Sequence, residues 1–465
     1  MTRLGDVCEK IGSGATPRGG KEAYKDAGIP IIRSQNIHDW VFQPDGLAFL
    51  DDEQAESLSN VEVRSNDVLL NITGDSVARA CIVPSERIPA RVNQHVAIVR
   101  AGKEINPTYL LASLQSKKTT LLSLASSGAT RNALTKRMIE NLDIDLPSRE
   151  IQDSIAQVLD SIQYKITLNN RLNDYLLELI SSVFAHRFSS NVNTTDLKNV
   201  LSISTKALKP QEHASEIWEH YSIPAFDEKH RPIFEPASEI KSNKYQIDNE
   251  CILISKLNPS TKRIWMPYCS SNNAVCSTEF IVYRPYLKEY KSFYYAAIDS
   301  PGFTDYLLEH VSGSTGSRQR AQPKDTLHYL MPNPSNEEIK DFCTFADPIY
   351  RHVQINEQQT AKLELLRDTL LPKLMSGEID VSKVDLTQLT NNHLAGRMHW
   401  SNVIRVRAIH AVHSQQSQIP AYESVPKVSH SPCRTALTLG GIAPLLSWLA
   451  VSQFTAQSFA MLVVF

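Results

Sequence analysis

Two sets of residues along this chain have the types and spacing to hold a polyanion. The first is Thr16, Arg18, Arg33, Asn36, Thr73 and Arg79, with the string SGATRNALTKR that carries Arg131, Lys136 and Arg137. The second is Lys256, Asn258, Lys262 and Arg263, with the string SGSTGSRQRAQPK that carries Arg318, Arg320 and Lys324. Cationic donors beside small hydroxyls and amides are what phosphate oxygens and base edges require. Any one of these side chains could equally be a solvated or ion-paired surface residue. The two SG-x-T strings sit at equivalent points of the chain, which argues for a shared role.

Catalytic chemistry is thinly represented. The stretch GSGATPRGGK, Gly12 to Lys21, resembles a phosphate loop but has Ala15 and Glu22 where the glycine and the Ser or Thr of that loop belong, so it reads as a surface loop. DPIY, Asp347 to Tyr350, lacks a proline of a DNA-methylating motif and lies in a helical repeat. Asp227 with Glu239 and Lys241 offers the acids and E-x-K triplet of a metal nuclease, a pattern common by chance. No H-E-x-x-H, G-x-S-x-G or paired Cys/His set occurs, and Cys269 and Cys276 read as buried thiols. No metal or catalytic residue is assigned.

The elements that must position these loops show a duplication. When the segment from Pro147 is laid on that from Pro334 without a gap, Ile155 meets Phe342, Asp160 meets Asp347, Ile162 meets Ile349, Asn169 meets Asn356, and Leu176 meets Leu363. Apolar residues step by three and four in both copies, which predicts two long amphipathic helices. The first seam runs Ile151, Ile155, Val158, Ile162, Ile166, Asn169, Leu172, Leu176, Leu179, Val183. The second seam matches it, with Phe345, Ile349, Val353, Leu366 and Leu370, and Pro348 is expected to kink or divide that helix. Asn169 and Asn356 either lie buried and fix register or sit at the seam's exposed edge. Helices of this kind pair most simply with each other.

Ahead of each helix lies a region of short β-branched runs bounded by turn residues: IPIIRS, DVLLNI, ACIVP and HVAIVRAG, then HYSIPAF, ECILISKL, RIWMPY and EFIVYRP. PTYLLASLQS and KSFYYAAIDS follow as helical stretches. The expected class is α+β: two similar α/β domains separated by two long, antiparallel, coiled-coil-like helices in a pseudo-twofold duplication. The boundaries are residues 1–146 for the first domain, 147–190 for the first spacer helix, 191–333 for the second domain and 334–386 for the second helix. Residues 387–465 match neither half. They end in an apolar run broken by Pro444, Gln453 and Gln457, and read as an accidental or disordered extension sooner than an anchor.

A chain of 465 residues suggests about three folding units. Hydrophobic residues at 42% and charged residues at 21% exclude a disordered or fibrous protein. With 48 Lys and Arg against 50 Asp and Glu, a nucleic-acid surface must come from local clustering. Seven cysteines with no C-x-x-C pair fit a reducing compartment, and MTRLGDVCEK lacks the apolar stretch of a leader, so a cytoplasmic location is expected, with no membrane partner.

The strings GSGATPRGGKEAYKDAGIPIIRSQNI at 12–37, DVLLNITGDSVARACIV at 67–83, HYSIPAFDE at 220–228, SKLNPSTKRIW at 255–265 and CSTEFIV at 276–282, with both proline-led helices, resemble the specificity subunit of type I restriction-modification systems over residues 1–386. The resemblance implies a non-catalytic subunit with two target-recognition domains, each reading half of a split sequence in double-stranded DNA. It implies docking of two methyltransferase subunits and, through them, of restriction subunits. No cofactor is expected in this chain; S-adenosylmethionine, ATP and Mg²⁺ belong on the partners. The second region lacks the TP loop of the first, so the half-sites should differ, and the tail is foreign to the family. Two other readings remain: a nuclease centred on Asp227, Glu239 and Lys241, and a helical scaffold that binds only proteins.

Overall fold

A computed structural model describes residues 1–126, 132–190, 193–312 and 319–381. Arg131, Arg318 and the 387–465 tail therefore lie outside the described residues. The chain packs into two units, Met1–Tyr164 with the described part of Glu364–Phe465, and Lys165–Leu363.

In the first unit the strands are β1 (Cys8–Ser13), β2 (Ile29–Ile32), β3 (Ala48–Leu50), β4 (Glu62–Val63), β5 (Val68–Asn71), β6 (Ala80–Ile82), β7 (Ala90–Val92) and β8 (Val96–Ala101). They form two four-stranded sheets in the orders β1-β8-β5-β6 and β3-β2-β7-β4, antiparallel except for the parallel pair β2·β7. The run VLLN is buried at every residue because β5 is covered on both faces. Val68 and Leu70 join one core with Ala97 and Val99, while Leu69 joins a second with Ile31, Val92 and Ile98. Helix α1 (Pro107–Ser116) starts where Asn106 accepts from the Thr108 and Tyr109 N–H groups with proline at the first helical position. It is followed by α2 (Lys118–Ser126) and by the 40-residue α3 (Arg149–Phe188).

The second unit repeats the plan. Its strands are β9 (Leu201–Ser204), β10 (Ala207–Leu208), β11 (Ile217–Tyr221), β12 (Ile233–Pro236), β13 (Lys244–Gln246), β14 (Ile252–Ser255), β15 (Ile264–Trp265), β16 (Ala274–Ser277) and β17 (Phe280–Pro285), with α4 (Ile223–Lys229) after β11. The sheets run β9-β17-β14-β15 and β10-β13-β16-β11-β12, again with one parallel pair, β11·β16. Helices α5 (Lys291–Asp299), α6 (Pro301–Glu309) and the 40-residue α7 (Asn336–Met375) complete it. The class is α+β.

Within each unit the long helices run antiparallel. In the first, Ile155 and Leu159 of α3 share a core with Leu371 and Leu374 of α7, and Gln163 accepts from Arg367 at 2.9 Å. In the second, Phe184 and Phe188 of α3, Phe342 of α7 and Phe293 of α5 meet with ring centroids 5.2–5.9 Å apart. The matched acids have matched work. Asp160 accepts the Thr108 hydroxyl of α1 at 3.1 Å, and Asp347 accepts the Ser292 hydroxyl of α5.

Three expectations are corrected. Pro348 does not divide α7. It sits on the exposed side beside Asp347, while Ala346, Ile349 and Tyr350 are buried and hold the helix through the missing N–H. Ile151 is exposed, and so is Leu366. The buried stripe of α3 instead runs through Gln152, Ile155, Leu159, Ile162, Ile166, Asn169, Asn173, Leu176, Ile180, Phe184 and Phe188. At the levels of Ile151 and Leu366 the contact face is taken by the polar Gln152 and Arg367, so apolar type alone misplaces the seam by one position.

Among the packing residues, Ile155, Ile162, Asn169, Leu176, Phe342, Ile349 and Asn356 are buried and Leu363 is half-buried. Of the two readings for the asparagines, burial is the one observed. Asn169 Nδ2 donates to Gln359 Oε1 at 3.0 Å and to Thr360 Oγ1 at 3.4 Å, and Asn356 Nδ2 donates to Asn173 Oδ1 at 2.8 Å.

Candidate nucleic-acid interface

Strand direction gathers the cationic and hydroxyl loops of the first unit at one end of its sheets. There β1, β2, β5 and β7 finish and β6 and β8 begin. The loop after β1 is tied to the β7–β8 turn: Gly14 N–H donates to the Val96 carbonyl at 2.8 Å and Ala15 N–H to that of Val92 at 3.0 Å. A Cβ on Gly14 would lie 2.1 Å from the Val92 oxygen, so this glycine serves close backbone approach. The turn is tied to β2 by Asn93 N–H on the Ile32 carbonyl at 3.0 Å, and to the β5–β6 loop by Ile72 N–H on the His95 carbonyl at 3.0 Å. Leu134 N–H closes the corner on the Ile72 carbonyl at 2.8 Å, which brings the flank of the SGATRNALTKR loop against Thr73.

At this end Arg18 is exposed, and Thr16 is half-buried with a hydroxyl that finds no partner among the described residues. Arg33 is half-buried, donates from Nη2 to the Gly46 carbonyl at 2.5 Å and lies over the Tyr24 ring at 5.5 Å. Thr73 Oγ1 is 2.7 Å from His95 Nδ1, and Arg79 is half-buried in the same loop. Lys136 is exposed, 3.4 Å from Glu140. Asn36 requires a correction. It is fully buried and donates to the Gln43 and Asp45 carbonyls at 2.9 and 3.1 Å, so it clips its own loop and presents no edge to a ligand.

The second unit brings its loops to the corresponding end. Lys256 and Asn258 open the β14–β15 loop, and Asn258 adopts the left-handed region at φ 48. Arg320 closes the SGSTGSRQR string with its Nε 3.1 Å from Glu279, and the exposed Lys324 follows it. Lys262 and Arg263 do not stand as open cations. Lys262 pairs with Asp299 at 2.6 Å. Arg263 Nε and Nη2 lie 2.5 and 2.8 Å from the two Asp227 oxygens, with the arginine side chain only 11% exposed. That bidentate pair also occupies the carboxylate a metal nuclease would need. Among the described residues no group of three His, Cys, Asp or Glu side chains is placed to hold a metal ion. Burial pushes the Cys269 thiol up to about 12 and raises that of Cys276 well above its ordinary value, so neither is a thiolate at neutral pH.

Sequence reading missed His95 and Glu279, each in the turn that brings the final strand of its sheet back to this end. The signal was present: NQHVAIV and STEFIVY place a polar residue, one intervening residue and a second polar residue before a buried run.

Residues 1–178 match the type I restriction modification DNA specificity domain. The match spans the first unit's strands and most of α3, and the chain is similar to that family over those residues. It is similar to the type I restriction enzyme MjaIX specificity subunit of Methanocaldococcus jannaschii, 21% identical over 417 residues that cover 83% of this chain and 94% of that protein. The putative MjaX specificity subunit of the same organism is 23% identical over 178 residues, 37% of this chain and 41% of that protein. The crystal structure of a type I restriction-modification S subunit from M. genitalium covers 80% of this chain and 95% of its own at 15% identity, with a TM-score of 0.49. Among the described residues no helix is long and apolar enough to cross a membrane.

Proposed function

We propose that the chain is a non-catalytic DNA-sequence reader in which each unit recognises one half of a bipartite, asymmetric target in double-stranded DNA. The observation that carries this is the repeated sheet end. Both units bring polar and cationic loops to the same end of sheets that share their order apart from the extra edge strand β10, yet with different side chains, as two readers of unlike half-sites require. The family match and the MjaIX relative support the same reading. The long helices are the proposed docking elements for two methyltransferase subunits, with restriction subunits joining through them. S-adenosylmethionine, ATP and Mg²⁺ would act on those partners, and the assembly would work in the cytoplasm.

The deciding experiment co-expresses the chain with its methyltransferase subunit and maps methylated adenines across a genome. A split, asymmetric consensus is expected. Methylation without sequence preference would leave only a protein scaffold, and Mg²⁺-dependent cutting by the purified chain alone would favour a nuclease.

A further inference from the structure

One corner of each unit corresponds residue by residue. Ile72 N–H donates to the His95 carbonyl at 3.0 Å, and Lys256 N–H donates to the Glu279 carbonyl at 3.0 Å. Leu134 N–H reaches Ile72 at 2.8 Å as Ala321 N–H reaches Lys256 at 2.9 Å, and Gly74 N–H reaches Asn132 at 3.2 Å as Asn258 N–H reaches Gln319 at 3.0 Å. Thr73 bridges Ala133, and Leu257 bridges Arg320. The turns are capped alike, His95 N–H by Asn93 Oδ1 at 3.1 Å and Glu279 N–H by Ser277 Oγ at 3.2 Å. The backbone frame is thus shared while the side chains it presents differ. His95 stands where Glu279 stands, and Ala133 where Arg320 does.

In the first corner the His95 ring meets the Thr73 hydroxyl at 2.7 Å and the Gln94 amide at 3.2 Å. In the second, Arg320 Nε and Nη2 lie 3.1 and 3.5 Å from the two Glu279 oxygens, with the arginine side chain 46% exposed. A guanidinium held side-on by a carboxylate is fixed in plane before any ligand arrives, which reduces the ordering cost of a bidentate contact. The carboxylate also opposes a swing of the arginine onto a phosphate.

We propose that this corner sets the identity of each half-site. Arg320, held by the positioning residue Glu279, reads a guanine through N7 and O6, and His95 occupies the reading position of the other unit, where Ala133 stands in place of Arg320. The assignment rests on the DNA-reading function proposed above.

The test uses the full chain assembled with its methyltransferase partner, and duplexes in which each base pair of the mapped target is varied in turn. Arg320→Ala should lower discrimination at one position of one half-site on the order of 10- to 100-fold and leave the other half-site unchanged. Arg320→Lys keeps the charge without the fork and should lose the same discrimination with little loss of overall affinity. Glu279→Gln should lower that discrimination while raising affinity for unrelated duplexes, a gain that a merely structural role would not produce. His95→Ala should alter only the opposite half-site. If the wild-type assembly shows no sequence preference, the DNA-reading function falls. If it has a split target that Arg320→Ala leaves intact, or blurs in both halves at once, the corner assignment falls.

Discussion

Single side chains in this protein divide by what surrounds their charge. Asp67 is buried and takes both Arg100 Nε at 2.7 Å and Nη2 at 2.8 Å, while also accepting the Arg64 N–H at 2.7 Å. Asp67→Ala would strand a nearly buried guanidinium, and we expect it to destabilise the first unit by about 3–5 kcal/mol in urea unfolding. Lys136→Ala removes an exposed helix pair and should cost under about 0.5 kcal/mol in the same assay. A loss below about 1 kcal/mol for Asp67→Ala would mean Arg100 finds another partner. His220 supplies a pH response. Burial holds its imidazole below the ordinary value of 6.5, the hydrogen bond with Glu235 opposing and nearby Lys244 adding to the effect. As pH falls through 6.5 the unfolded chain takes up the proton first. The stability that rests on the neutral imidazole is therefore complete above that value and lost below it, by up to about 1.4 kcal/mol per pH unit. His220→Gln should flatten the fall in stability between pH 7.5 and 5.5 measured by denaturant titration (about two units), and an unchanged slope would refute this. Neither environment was legible from residue type. Asn36 shows why: an Asn in a polar loop looks like a base reader until the loop closes over it.

At the scale of elements the long helices were the most legible part, because period and offset are local properties of a sequence. The Asp160/Asp347 echo follows from them, whereas Ile151 and Leu366 are misplaced because the polar Gln152 and Arg367 take the contact face beside them. Sheet order was not legible. The parallel pairs β2·β7 and β11·β16 join strands far apart in the chain, and no local pattern specifies which partners meet. The asparagine layer also has a reciprocity that only the structure exposes. Asn169 reaches Thr360 as Asn356 reaches Asn173, each donor and acceptor displaced by the same 187 residues as Asn169 from Asn356. Asn356→Leu would leave Asn173 Oδ1 buried without its donor, and we expect a loss of about 1–3 kcal/mol. Adding Asn173→Leu should recover most of that loss by removing the stranded acceptor as well. A double-mutant cycle by chemical unfolding measures the coupling, and additive losses would show that the two asparagines act independently.

For the whole chain the question is how a protein of net charge −2 would hold DNA at all. In the second unit Lys262, Arg263 and Arg320 each face a carboxylate, from Asp299, Asp227 and Glu279. Cations balanced in this way orient a ligand more than they attract it, so non-specific affinity falls to exposed residues such as Arg18 and Lys324. Each phosphate contact releases condensed counterions and adds about 0.9 to the slope of log affinity against log salt. Lys324→Ala in the assembled complex should therefore weaken specific and scrambled duplexes equally and lower that slope by about 1, without moving the preferred sequence. A change confined to the specific duplex, at unaltered slope, would instead place Lys324 on a base, and the division between paired readers and exposed holders would have to be redrawn.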